Sequence, residues 1–331
     1  MDYAKLAHQY TITTVRVIWE VICNVSRLKN VTIFVPMVNF VLSLYYYLCF
    51  GLSPCSVDLD DETTMHYWVS KHRRRGLRNL VVVHGCGGDA RWQFVLQMSS
   101  LSKSFNIYMP DLLFYGNSST KSMDRSPEFQ AKCIMEGLKK GFHVERCSVY
   151  GISYGGWVTY RMAEMYPQEV EMVVIVSSGI ASATDQKLEL LKQLPIPIEK
   201  LVVPRDPEAL RLLVKKSVCK YDFQRVPDFG LWEFIRIMDD KNRKAKEELI
   251  LHLMSQETNS QISNLSQETL LVWGEEDKVF PTNLGYQLQR MIGPNARLNI
   301  LKETGHAVNL DSPNELNALI KSFILGHTCD T

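Results

Sequence analysis

Ser153, Asp277 and His306 are the three side chains whose types and chain order could perform covalent chemistry. A serine hydroxyl is a poor nucleophile at neutral pH unless a base takes its proton, and an imidazole oriented by a carboxylate is well suited to do so. Ser153 stands in Tyr150-Gly-Ile-Ser-Tyr-Gly-Gly156, after the apolar run Cys147 to Tyr150 and before a helical pattern carrying Trp157, Tyr160 and Met162. The spacing Gly151-x-Ser153-x-Gly155 is that of a nucleophile elbow, a strand turning directly into a helix. Such a turn strains its apex residue and lifts the Oγ clear of the sheet edge. Small residues two before and two after let strand and helix approach. The helix N-terminus behind the serine offers free N–H groups to developing negative charge.

His306 lies between Gly305 and Ala307, which leaves its ring free to project from a loop. Asp277 competes with Glu275 and Glu276 for the orienting role, and the following Val279-Phe-Pro281 would clamp the loop around Asp277. The order Ser153, Asp277, His306 is the one an α/β sheet with this elbow requires. An oxyanion needs two donors. The backbone N–H of Tyr154 is one candidate, and that of Cys86 in His84-Gly-Cys-Gly-Gly88 is the other. His84 fits loop anchoring better than base catalysis. Asp111 fits an anchor for the loop after Pro110 better than a second acid.

These residues must be positioned by strand ends. Leu80 to Val83, Asn106 to Met109, Cys147 to Tyr150, Met172 to Val176, Thr269 to Trp273 and Ala296 to Leu301 read as strands. Helical spacing separates them at Trp92 to Leu101, Pro127 to Lys140, Asn283 to Met291 and Pro313 to Leu325. That alternation predicts a mostly parallel sheet covered by helices on both faces. Ser56 to Leu59 and Thr64 to Val69 predict an antiparallel hairpin at its edge. Between Ser177 and Leu265 strand signal disappears. Helices are expected at Ala183 to Leu194, Pro207 to Lys220, Phe229 to Met238 and Lys241 to Met254, an insertion rather than a second domain.

The 331 residues carry a formal net charge of +1, so bulk attraction to nucleic acid is not expected. The basic run His72 to Arg75 reads as a solvated turn. The cysteines, among them Cys23, Cys86 and Cys329, form no CxxC pair and no ligand cluster, which fits free thiols in a reducing compartment. N-x-Ser/Thr sites stand at Asn24, Asn30, Asn117 and Asn264 and matter only in a secreted chain. Residues 31 to 57 contain no charge. Pro36, Asn39, Ser43 and Gly51 argue against a membrane span there, and Tyr45 to Tyr47 suggest an interface or a covered groove. A helix packed on the fold or lining a pocket entrance is the favoured reading, with peripheral membrane contact through residues 31–52 behind it and a span last. No Walker-type phosphate loop is present.

The motifs quoted, with Pro110-Asp-Leu-Leu-Phe-Tyr-Gly-Asn-Ser118, Trp273-Gly-Glu-Glu-Asp277 and Gly305-His-Ala-Val-Asn309, make the chain resemble the α/β-hydrolase superfamily from about Met37 onwards. It looks similar to a plant group described as monoacylglycerol-lipase-like or ring-cleavage (semialdehyde) hydrolase-like. The resemblance implies an α/β-hydrolase fold, a mostly parallel sheet with a helical cap inserted before the last strands. It implies Ser153 as nucleophile, His306 as base, Asp277 as orienter, and Cys86 and Tyr154 N–H groups as oxyanion hole. Where Cys86 stands, that group more often has an aromatic. The expected layout is an extension at 1–36 of uncertain standing, an apolar helix at 37–55, core at 56–181 and 266–331, and cap at 182–265.

The expected activity is hydrolysis of an apolar or lipid-like carboxylic ester through an acyl-enzyme, without metal or organic cofactor. The expected setting is cytoplasmic, with membrane association open and no signal of oligomeric state. One alternative is a carbon–carbon bond hydrolase with the same triad, its acid substrate clamped by Arg205 or Arg211. The others are a small-molecule receptor on the hydrolase scaffold and a membrane-anchored scaffold protein. Apolar residues of the cap and of Val38 to Phe50 suggest an acyl pocket, although core packing is the stronger reading for any one of them; Phe229 and Trp232, three apart on one helix face, are the cap aromatics singled out.

Overall fold

The computed structural model describes residues 32–255 and 262–326. Most of the 1–36 extension, with Cys23, Asn24 and Asn30, lies outside the described residues, as does Cys329. β1 (Leu52–Asp58) and β2 (Thr63–Ser70) form the expected antiparallel edge hairpin. β3 (Asn79–Val83) lies between β4 (Asn106–Pro110) and β6 (Cys147–Ile152), followed by β7 (Val170–Val176), β8 (Glu268–Gly274) and β9 (Ala296–Leu301), and from β4 to β9 every pairing is parallel. The short β5 (Ser119–Thr120) pairs with β2. The nine-stranded sheet thus runs β1-β2-β4-β3-β6-β7-β8-β9, with β5 off that path. This is an α/β-hydrolase fold with an inserted helical cap.

The apolar strands bury both faces because alternate residues point opposite ways. Leu80 and Val82 pack toward Phe94, Met98 and Leu316, while Val81 and Val83 pack toward Ile134, Leu138 and Val158. The first helix, α1 (Phe34–Cys49), precedes the sheet. The helices supplying the two layers are α2 (Ala90–Ser104) and α12 (Pro313–Leu325) on one face, and α3 (Pro127–Phe142) and α4 (Tyr154–Met165) on the other. Local chemistry starts them. Asp89 caps α2 by accepting from Arg91 N and Trp92 N, and Ser126 caps α3 ahead of Pro127.

The cap between β7 and β8 comprises α5 (Thr184–Lys192), α6 (Ile198–Val202), α7 (Pro207–Ser217), α8 (Asp228–Phe234) running into a π-helical turn (Ile235–Asp239), and α9 (Arg243–Ser255). The five-residue α6 is additional to the expected helices. α10 (Thr282–Ile292) and the short α11 (Val308–Asp311) complete the helices named here.

α1 differs from expectation. The apolar helix predicted over 37–55 spans Phe34–Cys49 instead. Gly51 then turns the chain at φ +66°, and Leu52–Asp58 join the sheet as its edge strand. A charge-free run does not by itself tell helix from strand, and the turn falls where the glycine permits it.

Candidate active site

Ser153 sits between β6 and α4 with φ 55° and ψ −119°. A left-handed φ is costly for a residue with a Cβ, on the order of 1–3 kcal/mol, and persists only where its surroundings impose it. The surroundings do so through the backbone. Ser153 N donates to Val176 O at 2.9 Å, and Ser153 O accepts from Gly156 N at 3.0 Å and from Ser178 Oγ at 2.8 Å.

His306 follows β9 on the same sheet edge. Its Nδ1 lies 3.0 Å from Asp277 Oδ2, and both side chains are nearly closed to solvent. The other Asp277 oxygen accepts from Val279 N and Phe280 N, each at 2.8 Å. Those bonds hold the carboxylate as an acceptor and leave Oδ2 for the imidazole. Glu275 and Glu276, the competitors in the sequence, are exposed. Phe280 packs edge-on against the His306 ring at 5.4 Å. Ser153 and His306 line one cavity, although no hydrogen bond joins Ser153 Oγ to His306 among the described residues. Catalytic hydrogen bonds in free enzymes are commonly longer than in their complexes.

The Cys86 and Tyr154 segments line the same cavity, and neither backbone N–H donates to a described protein acceptor. The two segments are pressed together. A Cβ on Gly85 would lie 3.1 Å from both Ile152 O and Ser153 Cβ, and one on Gly155 would lie 2.3 Å from Val83 O. Burial pushes the Cys86 thiol up to about 11, so it stays protonated at neutral pH and is no rival nucleophile. His84 takes the anchoring part expected of it. Its Nε2 accepts from Leu112 N at 2.9 Å, which leaves Nδ1–H to donate to Gly85 O at 2.7 Å, and burial lowers its pKa. Asp111 is likewise an anchor, with His66 Nδ1 and Asn117 N each at 3.0 Å from Oδ2.

Two polar side chains at the site escaped the sequence reading. Gln93 Oε1 accepts from Gly85 N at 2.9 Å, while Nε2 reaches Gly85 O, Cys86 O and Gly87 O at 3.1, 3.3 and 2.6 Å. One side chain thus sets the path of the loop that carries the Cys86 amide. Asp311 Oδ2 accepts from Gly305 N and Cys219 N, each at 2.9 Å, and Oδ1 from Lys220 N at 3.0 Å. It ties the histidine loop to the cap.

The cavity has a volume of about 620 Å³. Its walls are largely apolar, with cap leucines such as Leu190, Leu194 and Leu213 beside Trp157, Phe234 and Phe280. The charged residues lining it are Lys187, Arg211, Lys216 and Lys278, with no carboxylate side chain among the described lining residues. The expected clamp residue Arg205 is not among them, because it pairs with Glu247 at the surface, 2.8 Å away. Arg211 does line the cavity, bonded to Asp228 and to Val226 O. Phe229 and Trp232 also miss the cavity: Phe229 turns to Phe34, and Trp232 is exposed. Gly230, Leu231 and Phe234 of that segment face it instead.

In the cap, Asp239 is buried at the end of the π-helical turn, and burial pushes its carboxyl up to about 7. Burial also pushes Lys246, which donates to Met238 O, down to about 8. Because the Asp239 pKa is raised above the unfolded value of about 3.9, the folded chain holds this proton more tightly. The stability it contributes is full below about pH 4 and is lost as pH rises through about 7. Asp239→Asn is expected to remove that loss. Its melting temperature relative to wild type should climb between pH 5 and 8, the gain at pH 8 being on the order of 1–3 kcal/mol. A difference independent of pH would contradict this.

A model of the Alpha/beta hydrolase family matches residues 80–319. The human monoacylglycerol lipase ABHD6 is 24% identical over 74% of this chain and 75% of that protein. The 2-hydroxy-6-oxo-6-phenylhexa-2,4-dienoate hydrolase of Comamonas testosteroni is 22% identical over 74% of this chain and 87% of that protein. The crystal structure of a putative lipase (lip1) from Acinetobacter baumannii superposes with a TM-score of 0.72 at 20% identity, covering 87% of this chain and 95% of that one. At that identity the likeness speaks for the fold alone. These relatives are bacterial and human rather than plant proteins. With the sheet order, the inserted cap and the match over residues 80–319 in agreement, the chain belongs to the alpha/beta hydrolase family.

Proposed function

We propose that the chain is a serine hydrolase for an apolar carbonyl compound that carries an anionic group. The bond cleaved is the one beside the carbonyl, and the carbon–carbon bond of a ring-cleavage-type keto acid is the first candidate. The observation that carries this reading is the cavity above Ser153: apolar walls and no acidic residue among the described lining, with Lys216 and Lys278 added to the already engaged Lys187 and Arg211. Coulomb attraction in such an enclosed site favours an anion over a neutral or cationic ligand. The 22%-identical relative from Comamonas testosteroni is named for a substrate of that description, an aryl keto acid.

In this reading His306 Nε2 takes the Ser153 proton as Oγ attacks the carbonyl carbon. The tetrahedral oxyanion rests on the Cys86 and Tyr154 N–H groups. His306 then gives the proton to the departing carbon, leaving an acyl group on Ser153. It next activates water, whose oxygen ends in the released carboxylic acid. Asp277 stabilises the charged imidazole without itself taking the proton.

An apolar carboxylic ester is the second reading, with an alcohol leaving in place of the carbon fragment. It is favoured by cations already engaged: Lys187 donates to Leu253 O at 3.0 Å and Arg211 bonds Asp228. The discriminating experiment compares kcat/KM for 2-hydroxy-6-oxo-6-phenylhexa-2,4-dienoate with that for p-nitrophenyl esters from acetate to long chains. Dienoate turnover above the best ester by roughly tenfold or more, about 1.4 kcal/mol in the barrier, is the result expected. Esters ahead would select the second reading. No turnover of either class by folded protein would sink both and leave the receptor reading.

A further inference from the structure

The first helix is seated the wrong way round for a helix in water. Its polar side chains face the protein. Asn39 Oδ1 accepts from Trp92 Nε1 at 2.7 Å, Ser43 Oγ accepts from Arg91 Nη1 at 2.6 Å, and Tyr46, fully buried, donates its hydroxyl to Arg91 O at 2.9 Å. Glu233 of the cap accepts from Ile33 N and Val35 N at 3.2 and 2.9 Å, which fixes the start of α1. The opposite face holds Met37, Phe40, Val41, Leu44, Tyr47 and Leu48, all exposed, Phe40 by 69% and Leu48 by 66%. At 100° per residue these six fall within an arc of roughly 120°. Outward polar residues are the norm for a surface helix. Here the polar groups are spent on anchoring, and what remains outside is a continuous apolar stripe.

Two neighbours of the stripe point to what covers it. At its C-terminal end Lys71 donates to Tyr47 O at 2.8 Å, with the ammonium over the Tyr47 ring. Lys71 opens the run His72-Arg-Arg-Arg75, exposed throughout, and no acidic residue occurs between Glu62 and Asp89. Lys71, which opens this run that in the sequence reads as a solvated turn, therefore borders the apolar face, while Arg74 of the run is bonded to the carbonyls of Ser102, Lys103 and Phe105. At the other end Phe34 is part-exposed and also lines the cavity above Ser153, together with Val35. An apolar stripe, a tyrosine and a lysine at its border, and the exposed Arg73 and Arg75 that follow that lysine are the chemistry of a helix lying in a bilayer interface. No helix among the described residues is long and apolar enough to cross a membrane.

We infer that α1 docks this chain, in plane, on an anionic phospholipid surface, with the rim of the cavity at Phe34 against the leaflet. This holds whichever bond is cleaved. The test is flotation of the full chain with vesicles of phosphatidylcholine, with and without phosphatidylglycerol. The chain should float with both, more with phosphatidylglycerol and less as salt rises. Phe40→Glu/Leu44→Glu/Leu48→Glu should lower partitioning roughly tenfold or more, with the melting temperature unchanged because the sites are exposed. Arg73→Glu/Arg75→Glu should remove only the phosphatidylglycerol increment. As a second readout, the indole emission of a Phe40→Trp variant should shift to the blue on vesicle addition. The inference is overturned by a full chain that floats with neither vesicle, by a triple variant that floats like wild type, or by a Phe40→Trp variant whose emission ignores lipid. It is equally overturned by a lipid-free dimer that the triple variant splits, since the stripe would then belong to a second copy.

Discussion

Ser153→Ala is expected to abolish turnover while leaving the fold intact. The loss should reach roughly 10⁴-fold or more in kcat, because without the hydroxyl no acyl-enzyme forms and the base has nothing to activate. Folding should not suffer, since the turn at Ser153 is held by its main chain. The bonds to Val176 O, Gly156 N and Ser178 Oγ use only backbone atoms of residue 153. Alanine meets the same φ of 55° as serine, so the strain is neither relieved nor increased. Ser153→Gly goes further: it should stabilise by about 1 kcal/mol by removing the Cβ from a left-handed φ, and be equally inactive. Cys86→Ser, which keeps the backbone N–H, should retain most activity. The measurements are kcat on the best substrate and melting temperature for each variant. Wild-type turnover in Ser153→Ala would remove Ser153 from the chemistry, whatever its dihedrals.

The candidate site is legible in the sequence wherever short-range pattern and chain order carry the information. Apolar runs separated by helical spacing placed the parallel strands within a few residues, and the closing helix falls on Pro313–Leu325 as read. The candidate residues were legible because each follows a strand on one sheet edge. What was illegible depends on partners far along the chain. Asp311 contacts Cys219 and Lys220, some ninety positions away, and nothing beside it in the sequence marks it. Gln93 resembles any glutamine on a helix until the loop it holds is in place. Arg205 reads as an anion clamp because it is a cap cation, but position in the chain does not tell which way a side chain turns, and Glu247 takes it to the surface. The same limit hid the inversion of α1. Its run of apolar letters is obvious, but only the contacts of Asn39 and Ser43 reveal that the polar letters face inward.

Gly155→Ala should cost more stability than most single changes, although it adds one methyl group. The methyl would stand 2.3 Å from Val83 O and 2.5 Å from His84 O. Neither atom can step aside. Val83 ends β3, which is hydrogen-bonded to β4 on one side and β6 on the other, and His84 is tied to Leu112 N and Gly85 O. The helix α4 must therefore lift from the sheet, opening contacts around Val158 in a core with no slack. A cost of about 3 kcal/mol or more follows, lowering the melting temperature by roughly 5–10 °C or leaving the protein insoluble. Any soluble fraction should also turn over slowly, because the displaced element carries both Ser153 and the Tyr154 amide. Gly230→Ala is the matched control. It too is a helical glycine, but its added Cβ meets only the Phe34 ring at 3.7 Å, an ordinary contact. There the higher helix propensity of alanine should dominate, for a gain of up to about 1 kcal/mol. Equal melting temperatures for the two variants would mean that strand and helix at the turn are not in the close contact that the reading of Ser153 as an elbow nucleophile requires.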